Sequence, residues 1–306
     1  MNLCYLIMTH GCLDVLESII NALRHPNVSF IVHVDSKYKG DLPEFLNDES
    51  IYLTPHRISV QWGGLSIVDC VTYLCEYAHS LKKFDYFVLI SGNDYPVKSA
   101  SSIYDYLSQN KDNNYIAGLE LPSKSSTWIQ GGYRRLACYP VYLKHKRIAA
   151  IEPRKFDIYN LRDILKVVLY NPFKLSEALR IIVKHSPRKN KTDIRPFGGE
   201  MWWMMNAKTV EQLLIYLHET PEYYEYHRNT IVPDEIFFNS LAHSMAENVV
   251  NDTKRYINWK NKTDLSPATI SITDSELLET CISDPEILFV RKVNDIKVCK
   301  YIDSII

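Results

Sequence analysis

The chain lacks the long apolar runs that mark membrane-spanning and secreted proteins. None of its 306 residues belongs to a stretch of roughly 18 apolar residues, the length that a membrane-spanning helix needs. The opening run Met1–Met8 is apolar, but it is too short for a signal peptide and has no basic leader. The sequence therefore predicts a protein of the cytoplasm, or one held at the inner face of the cell membrane.

An excess of one charge is also absent. Lys plus Arg number 35 and Asp plus Glu number 36, a balance that argues against a general binder of nucleic acid or of membrane surfaces. The seven cysteines are scattered, and no two have the C-x-x-C spacing of zinc or redox sites. Reduced thiols in a cytosolic protein are the simplest interpretation.

Several motifs that identify common enzyme classes are missing as well. The sequence has no G-x-x-x-x-G-K-[ST] phosphate loop, no G-x-G-x-x-G, no H-E-x-x-H and no G-x-S-x-G. No aspartate has another aspartate two residues away, although enzymes that use nucleoside diphosphates with Mg²⁺ or Mn²⁺ often carry such an Asp-x-Asp pair. Because hard divalent cations need clustered oxygen ligands, we expect no metal cofactor.

What the sequence does contain is an alternation of strand and helix patterns. Short apolar runs at Leu3–Met8, Phe30–Asp35 and Tyr86–Ile90 are typical of buried strands, and residues 65–81 have helical spacing. This order predicts an α/β fold, a mostly parallel sheet with helices on its faces. Ligands bind such sheets at the carboxyl ends of the strands, where Asp35 and the turn 91–96 lie.

The middle of the chain departs from this pattern. Residues 122–195 are basic and weakly periodic, with helices predicted at Ile158–Leu169 and Leu175–Val183. We interpret them as an insertion and candidate acceptor-binding lobe within a single domain of residues 1–306; a solvated basic face is the alternative. The flanking parts of this domain are residues 1–121 and 196–306.

Pro233-Asp234-Glu235 marks the start of a predicted helix. Proline and acidic residues both favour the first helical turn, so a simple helix start with Asp234 as its cap is one interpretation. The other is that Glu235 is a catalytic base, because a helix N-terminus favours the ionised form of a carboxylate.

Three further signals lie in the last third of the chain. The spacing of apolar residues predicts a helix at Lys208–Leu217, with Asn206 as its N-cap. Thr273 and Glu276 have the spacing of a capping box, which predicts the start of another helix. Leu288–Val293 is predicted to be the last strand, and it carries two cations.

Seven strings occur in a fixed order along the chain. They are Leu6–His10, Val32–Lys37, Trp62–Gly64, Ser91–Lys98, Phe197–Trp203, Pro233–Glu235 and Leu288–Lys292. Together they resemble the core-2/I-branching β-1,6-N-acetylglucosaminyltransferase family, which also includes peptide O-xylosyltransferases. Only the central insertion is not matched well.

The resemblance implies a GT-A-type fold and an inverting glycosyltransferase that needs no metal and uses a UDP-sugar. It makes Glu235 the general base and Lys292, with Arg291 beside it, a cation that neutralises the leaving diphosphate. It also implies that residues 1–121 are a nucleotide-binding half and residues 196–306 a catalytic, diphosphate-binding half. Thr9, His10 and Asp35 map to the nucleotide pocket. The implied sugar-binding residues are Ser91, Asp94, Glu120, Trp202, Asp234 and Trp259. The structural alternatives are a strand-end cap for Asp35, a purely structural role for His10, a turn brace for Asp94, core packing for Glu120 and Trp259, and a solvent-facing strand edge for Arg291 and Lys292.

The sequence also departs from the family. The family's second diphosphate-binding cation is an arginine, but the matching position here is Thr269. The candidates to replace it are Arg255, Lys260, Lys262 and Arg291. The disulfide cysteines and membrane anchor of the animal enzymes are not recognisable, which favours a bacterial cytosolic enzyme that acts on a surface polysaccharide or lipid-linked glycan.

The expected partners follow from this interpretation. The predicted donor is UDP-N-acetylglucosamine, with UDP-xylose as the alternative, and the acceptor is a glycan or lipid-linked glycan. Membrane association is expected to be peripheral and to occur through the acceptor, and no nucleic-acid partner is expected. A non-catalytic glycan-binding protein on the same fold is the alternative of another class.

Overall fold

The fold is described from a computed structural model that covers residues 1–81, 83–144, 146–260 and 266–306. Lys262, one of the candidate cations, lies outside these residues. The strands within them are β1 (Leu3–Thr9), β2 (Val28–Val34), β3 (Ile51–Leu53), β4 (Tyr86–Ser91), β5 (Asp94–Pro96), β6 (Asn114–Glu120), β7 (Tyr139–Leu143), β8 (Lys146–Ile151), β9 (Phe197–Asn206), β10 (Val249–Val250), β11 (Arg255–Ile257) and β12 (Phe289–Arg291). The helices are α1 (Leu13–Ala22), α2 (Leu65–Leu81), α3 (Ala100–Gln109), α4 (Tyr133–Ala137), α5 (Ile158–Tyr170), α6 (Leu175–Lys184), α7 (Ala207–Glu219), α8 (Pro221–His227), α9 (Phe237–Met245), α10 (Ser275–Ser283) and α11 (Ile296–Asp303).

The main sheet is mostly parallel. Within the described residues its strand order is β10-β6-β9-β4-β1-β2-β3, and β9 alone runs antiparallel to its neighbours β4 and β6. Successive side chains of a strand point to opposite faces, so Tyr5 and Ile7 pack in one apolar cluster while Cys4 and Leu6 pack in another. Helices α1, α3 and α11 cover the first face, and α2, α7 and α9 cover the second. The predicted α/β class with a parallel sheet between helices is therefore confirmed.

A smaller sheet contains Arg291 but not Lys292, the second cation of the last predicted strand, which directly follows β12. Its order is β11-β12-β5, and Arg291 of β12 is opposite Asp94 of the antiparallel β5. Because β12 lies between two strands, the alternative that Arg291 sits on a solvent-facing strand edge is wrong.

The central insertion has a small core of its own. Strands β7 and β8 form an antiparallel hairpin, and α5 and α6 pack against it through Val141, Ile151, Val167 and Ile181. Both helices predicted in this segment are present, each within one residue of its predicted end.

The acidic string 233–235 does not begin an α-helix directly. Pro233–Glu235 is a 3₁₀ turn that follows Val232 in the left-handed region (φ 54°), and α9 begins only at Phe237. Within the described residues, no side chain caps this turn, so the prediction that Asp234 is a helix cap is wrong. The reason is the backbone of Ile236 (φ −125°), which separates the turn from the helix.

Two other predicted caps have different outcomes. Asn206 caps α7 as expected, because its side chain accepts a hydrogen bond of 2.8 Å from the Thr209 N–H. The predicted capping box at Thr273 and Glu276 is wrong. A 3₁₀ turn precedes α10, and the box is instead formed by Ser271 and Asp274, two residues earlier.

Candidate active site

The polar strand ends meet at one edge of the main sheet. Thr9 ends β1, Asp35 follows β2 and Ser91 ends β4, and these parallel strands lie next to one another. Strand β9 runs the other way, so its beginning, at Glu200–Trp202, comes to the same edge. The antiparallel strand thus adds a set of side chains to the edge that a purely parallel sheet would have placed elsewhere.

A cavity of about 320 Å³ opens at this edge. It brings together predicted site residues from every part of the chain except the insertion: Thr9, His10, Asp35, Ser91, Trp202, Asp234, Glu235, Trp259, Arg291 and Lys292. A second cavity of about 450 Å³ at the opposite edge, beside Asn2 and Asp85, contains none of them.

Two predicted site residues do not line the cavity. Glu120 lies at the end of β6 with 57% of its side chain exposed, 3.8 Å from Arg195. Asp94 is fully buried beneath the cavity and accepts a 2.6 Å hydrogen bond from the Ser91 N–H, which braces the turn between β4 and β5. The structure therefore agrees with the alternative interpretation, in which Asp94 braces the turn.

Glu235 reaches the cavity from the 3₁₀ turn, with about a third of its side chain exposed. Its Oε2 is paired with the guanidinium of Arg135, which comes from α4 in the insertion. The guanidinium also stacks 3.5 Å from the centre of the Trp128 ring, which fixes its plane. Sequence reasoning missed Arg135 because it lies 100 residues from Glu235 and outside every recognisable string.

Asp234, next to Glu235, is buried in the cavity wall. Its Oδ1 has no hydrogen-bond partner among the residues described. The pKa of this carboxyl is raised to about 7, chiefly by burial and also by the charge of Glu235, while Arg135 acts in the opposite direction. Near neutral pH the turn therefore holds a carboxyl group that is partly protonated.

Two cations line the cavity from β12 and the residue after it. Arg291 lies 3.1 Å from Asp94 Oδ2 and stacks 4.5 Å from the Trp202 ring. Lys292 has no side-chain partner in the described part of the chain, and burial, reinforced by the charge of Arg291, lowers its pKa. A partly desolvated ammonium group without a counter-ion is a favourable place for an anion.

Arg255 cannot supply the second diphosphate-binding cation. Its side chain is completely buried, with Nε 3.1 Å from Asp94 Oδ1, and burial lowers the pKa of its guanidinium. It lies with Asp94 beneath the cavity, and its burial removes it from the four candidates for this cation. Lys260 is exposed outside the lining of the cavity, so Arg291 is the remaining described candidate.

One end of the cavity is organised around Asp35. Its two oxygens accept hydrogen bonds from the N–H groups of Lys37 (2.8 Å) and Val60 (3.1 Å), which hold together the loops after β2 and β3. The Lys37 ammonium lies 3.4 Å from Asp35 and adds a further cation. Partial burial lowers the pKa of His10, and Lys292 lowers it further, so the imidazole is neutral near pH 7.

Aromatic and acidic side chains complete the lining. Trp202 is buried, whereas Trp62 and Trp259 remain 65% and 46% exposed at the mouth. Glu200 accepts a 2.9 Å hydrogen bond from Thr253, and burial raises its pKa. The strings with family resemblance include Trp62, Lys37 and Glu200. Sequence reasoning could therefore have named these residues as candidates, but it could not have shown that they line the cavity.

The described residues show neither a metal cluster nor a membrane-spanning helix. They contain no group of three or more His, Cys, Asp or Glu side chains that could hold a metal ion. Among the described helices, none combines the length and apolar character needed to cross a membrane.

Comparison with known proteins gives a family match over most of the chain. The family model described as Core-2/I-Branching enzyme matches residues 3–281. The chain is 24% identical to a xylosyltransferase of Ciona intestinalis over 84% of its length, and 22% and 23% identical to xylosyltransferase 2 of Rattus norvegicus and Homo sapiens over 85%. The alignments cover 27% of each of these relatives, so the chain spans about a quarter of their length.

Proposed function

Because the chain belongs to the core-2/I-branching enzyme family, we propose that it is a glycosyltransferase that moves a sugar from a UDP-sugar to a hydroxyl group of a glycan acceptor. The observation that carries the proposal is the meeting of Glu235 with the unpaired Lys292 and with Arg291 in one cavity at the carboxyl edge of the sheet. The cavity thus offers an acceptor for a proton and cations for a leaving anion.

The proposed reaction is a single displacement that inverts the sugar. The acceptor oxygen forms a bond to C1 of the donor sugar, its proton passes to Glu235, and the bond between C1 and the diphosphate oxygen breaks. The electron pair of that bond leaves with UDP. Arg135 contacts only Oε2 of Glu235, so Oε1 is the oxygen that we assign to the proton.

Lys292 and Arg291 are proposed to stabilise the departing diphosphate. A cation about 4 Å from an anion contributes on the order of 4 kcal/mol at an intermediate effective dielectric, before desolvation is counted. Fixed cations aimed at the developing charge can supply the electrostatic stabilisation that other enzymes obtain from a metal. The missing Asp-x-Asp pair and the scattered acidic ligands support a metal-independent reaction, which stays a proposal.

The remaining lining residues are assigned by their chemistry. Thr9, His10 and Asp35 would contact the nucleoside, since a neutral imidazole and a partly satisfied carboxylate can both hydrogen-bond to a base or ribose. Trp202 and Trp259 offer flat faces against which a sugar ring can stack. The Ser91 hydroxyl accepts a hydrogen bond from Arg291, so it lies beside one of the proposed diphosphate cations.

Two donors remain candidates. N-acetylglucosamine is proposed first, although both activities occur in the family and no string of this chain separates them. Xylose is the second candidate because the named relatives are xylosyltransferases. A cytoplasmic location also stays a prediction. All seven cysteines lie in the described part of the chain and are unpaired, as expected in a reducing compartment.

Calorimetric titration with UDP, combined with turnover of both UDP-sugars, tests the proposal. Glu235→Gln should abolish transfer while changing UDP affinity by no more than about twofold, because the base acts on the acceptor. Lys292→Met should weaken UDP binding about 10- to 100-fold, since it removes a charge-assisted contact. Lys208→Met, which removes an exposed lysine on α7, is the matched control.

Three results would contradict the proposal. A wild-type protein that does not bind UDP would support the glycan-binding alternative. Full turnover in Glu235→Gln would show that the base is elsewhere. Equal UDP affinity in Lys292→Met and Lys208→Met would remove Lys292 from the diphosphate site.

A further inference from the structure

The insertion presents an exposed apolar surface that the proposed reaction does not use. Phe156, Leu169 and Phe173 are 87%, 83% and 90% exposed, and Ile158, Leu161 and Leu165 of α5 are each more than half exposed. These six side chains, which we call the apolar ridge, follow α5 from the residues before it to the turn before α6. Isolated exposed apolar residues are ordinary, but a contiguous row of this size on one helix indicates a contact surface.

Helix α5 differs from an ordinary surface helix because its outward face is apolar, while its inward face carries two polar residues beside Val167. Its inward face carries Asn160, whose amide donates 2.8 Å hydrogen bonds to the Glu152 and Lys155 carbonyls. One turn later, inward-facing Asp163 forms a buried ion pair of 3.1 Å with Arg134. These polar contacts fix the rotation of the helix, so the apolar ridge is held outward.

The ridge lies in the most basic part of the chain. Residues 154–191 contain ten Lys or Arg and three Asp or Glu, although the whole chain has a net charge of −1. Lys155, Lys166 and Lys174 are paired with carboxylates close by. Five exposed cations of this segment have no carboxylate partner in the described part of the chain: Arg154, Arg180, Lys184, Lys189 and Lys191.

We propose that the apolar ridge and its flanking cations bind the surface of an anionic lipid bilayer, with the ridge at the boundary between head groups and acyl chains. Amphipathic helices that lie in this boundary combine large exposed apolar side chains with Lys and Arg. Anionic head groups attract such cations within a Debye length of the surface. Binding to the bilayer needs neither the UDP-sugar nor the glycan acceptor, so it can be tested independently of the proposed reaction.

A second copy of the chain fits the surface less well. A symmetric dimer through the ridge would bring two equally basic surfaces face to face, and like charges across an interface oppose association. A bilayer with anionic lipid supplies both the apolar layer and the opposite charge.

Vesicle flotation with the full chain tests the proposal. We expect binding to phosphatidylcholine vesicles that contain phosphatidylglycerol, at least about tenfold weaker binding to pure phosphatidylcholine, and release by high salt. The double variant Leu169→Gln/Phe173→Ser should lose at least about tenfold in binding, and Arg180→Glu/Lys184→Glu a similar amount. Ile215→Gln changes an exposed apolar residue of α7 outside the insertion and should bind like wild type.

Three outcomes would overturn the proposal. One is a wild-type chain that does not float with anionic vesicles; another is binding unchanged in both double variants. The third is a concentration-dependent dimer in sedimentation velocity that Leu169→Gln/Phe173→Ser abolishes while vesicle binding is absent, which would assign the ridge to self-association. Unchanged thermal midpoints and UDP affinities of the variants separate these outcomes from misfolding and from failure of the proposed reaction.

Discussion

Replacing Asp234 with asparagine should stabilise the protein, and the gain should grow as the pH rises. The carboxyl is 93% buried, and its Oδ1 has no hydrogen-bond partner among the described residues. Its pKa is raised from the ordinary range to about 7, first by burial and then by the charge of Glu235. The folded state therefore holds a proton that the unfolded state releases, and this group lowers stability progressively between about pH 4 and pH 7.

The size of the effect follows from the shift. One pKa unit corresponds to about 1.4 kcal/mol, so a shift of about 3 units would cost at most about 4 kcal/mol above neutral pH. Because local relaxation and water entry reduce such penalties, we expect a gain of about 2 to 4 kcal/mol for Asp234→Asn at pH 8 and almost none at pH 4. For a chain of this length that gain is about 4 to 8 °C in the thermal midpoint.

Urea unfolding and thermal melts of both proteins between about pH 4 and pH 8 measure this difference. Asp105→Asn, which changes an exposed aspartate on α3, should show no such growth with pH. An asparagine resembles the protonated acid, so the variant should keep most of its transfer activity near pH 6 if Glu235 is the base. A stability difference that stays constant across the pH range would refute the assignment of a raised pKa to Asp234.

Three further predictions test other parts of the site. Arg135→Ala should lower kcat about 10- to 100-fold by misplacing Glu235, without changing UDP affinity, and Arg135→Lys should recover part of the loss; an unchanged kcat would contradict this positioning role. Asp94→Asn leaves Arg255 buried without its counter-charge, so it should lower the free energy of unfolding by about 3 to 5 kcal/mol, and an unchanged urea midpoint would be evidence against the brace. Turnover should survive EDTA; its loss, with recovery on addition of Mn²⁺, would mean that the reaction needs a metal.

Most of the fold could be predicted because the signals were local. The runs at β1, β2 and β4 are continuous and apolar, and α2 has an unbroken helical period, so each element could be identified from its own residues. The antiparallel direction of β9 could not be predicted. Its apolar residues indicate that the strand is buried, but they do not indicate how it runs relative to its neighbours. That direction is what brings Glu200 and Trp202 to the site.

Some residues of the candidate site could likewise be predicted from the sequence, and others could not. Glu235, Lys292 and Asp35 stand in strings with a recognisable order, and the structure places all three around one cavity. Arg135 and Arg255 escaped correct interpretation because their roles depend on packing between distant segments. In the sequence, Arg255 was a candidate ligand-binding cation. In the structure it is completely buried and paired with Asp94, the same carboxylate that pairs with Arg291.

Consecutive arginines of α4 connect the two proposals. Arg134 points inward and holds α5 through Asp163, and Arg135 points to the cavity and holds Glu235. The helix that carries the apolar ridge and the candidate base are thus tied to the same short helix by buried or half-buried ion pairs. If α5 rests on a bilayer, α4 fixes the distance between the lipid surface and Glu235, and a hydroxyl on a lipid-linked glycan would approach the base from a defined direction. An acceptor anchored in the same bilayer should therefore react faster than its water-soluble counterpart, and this advantage should disappear in Leu169→Gln/Phe173→Ser while the reaction of the soluble acceptor is unchanged.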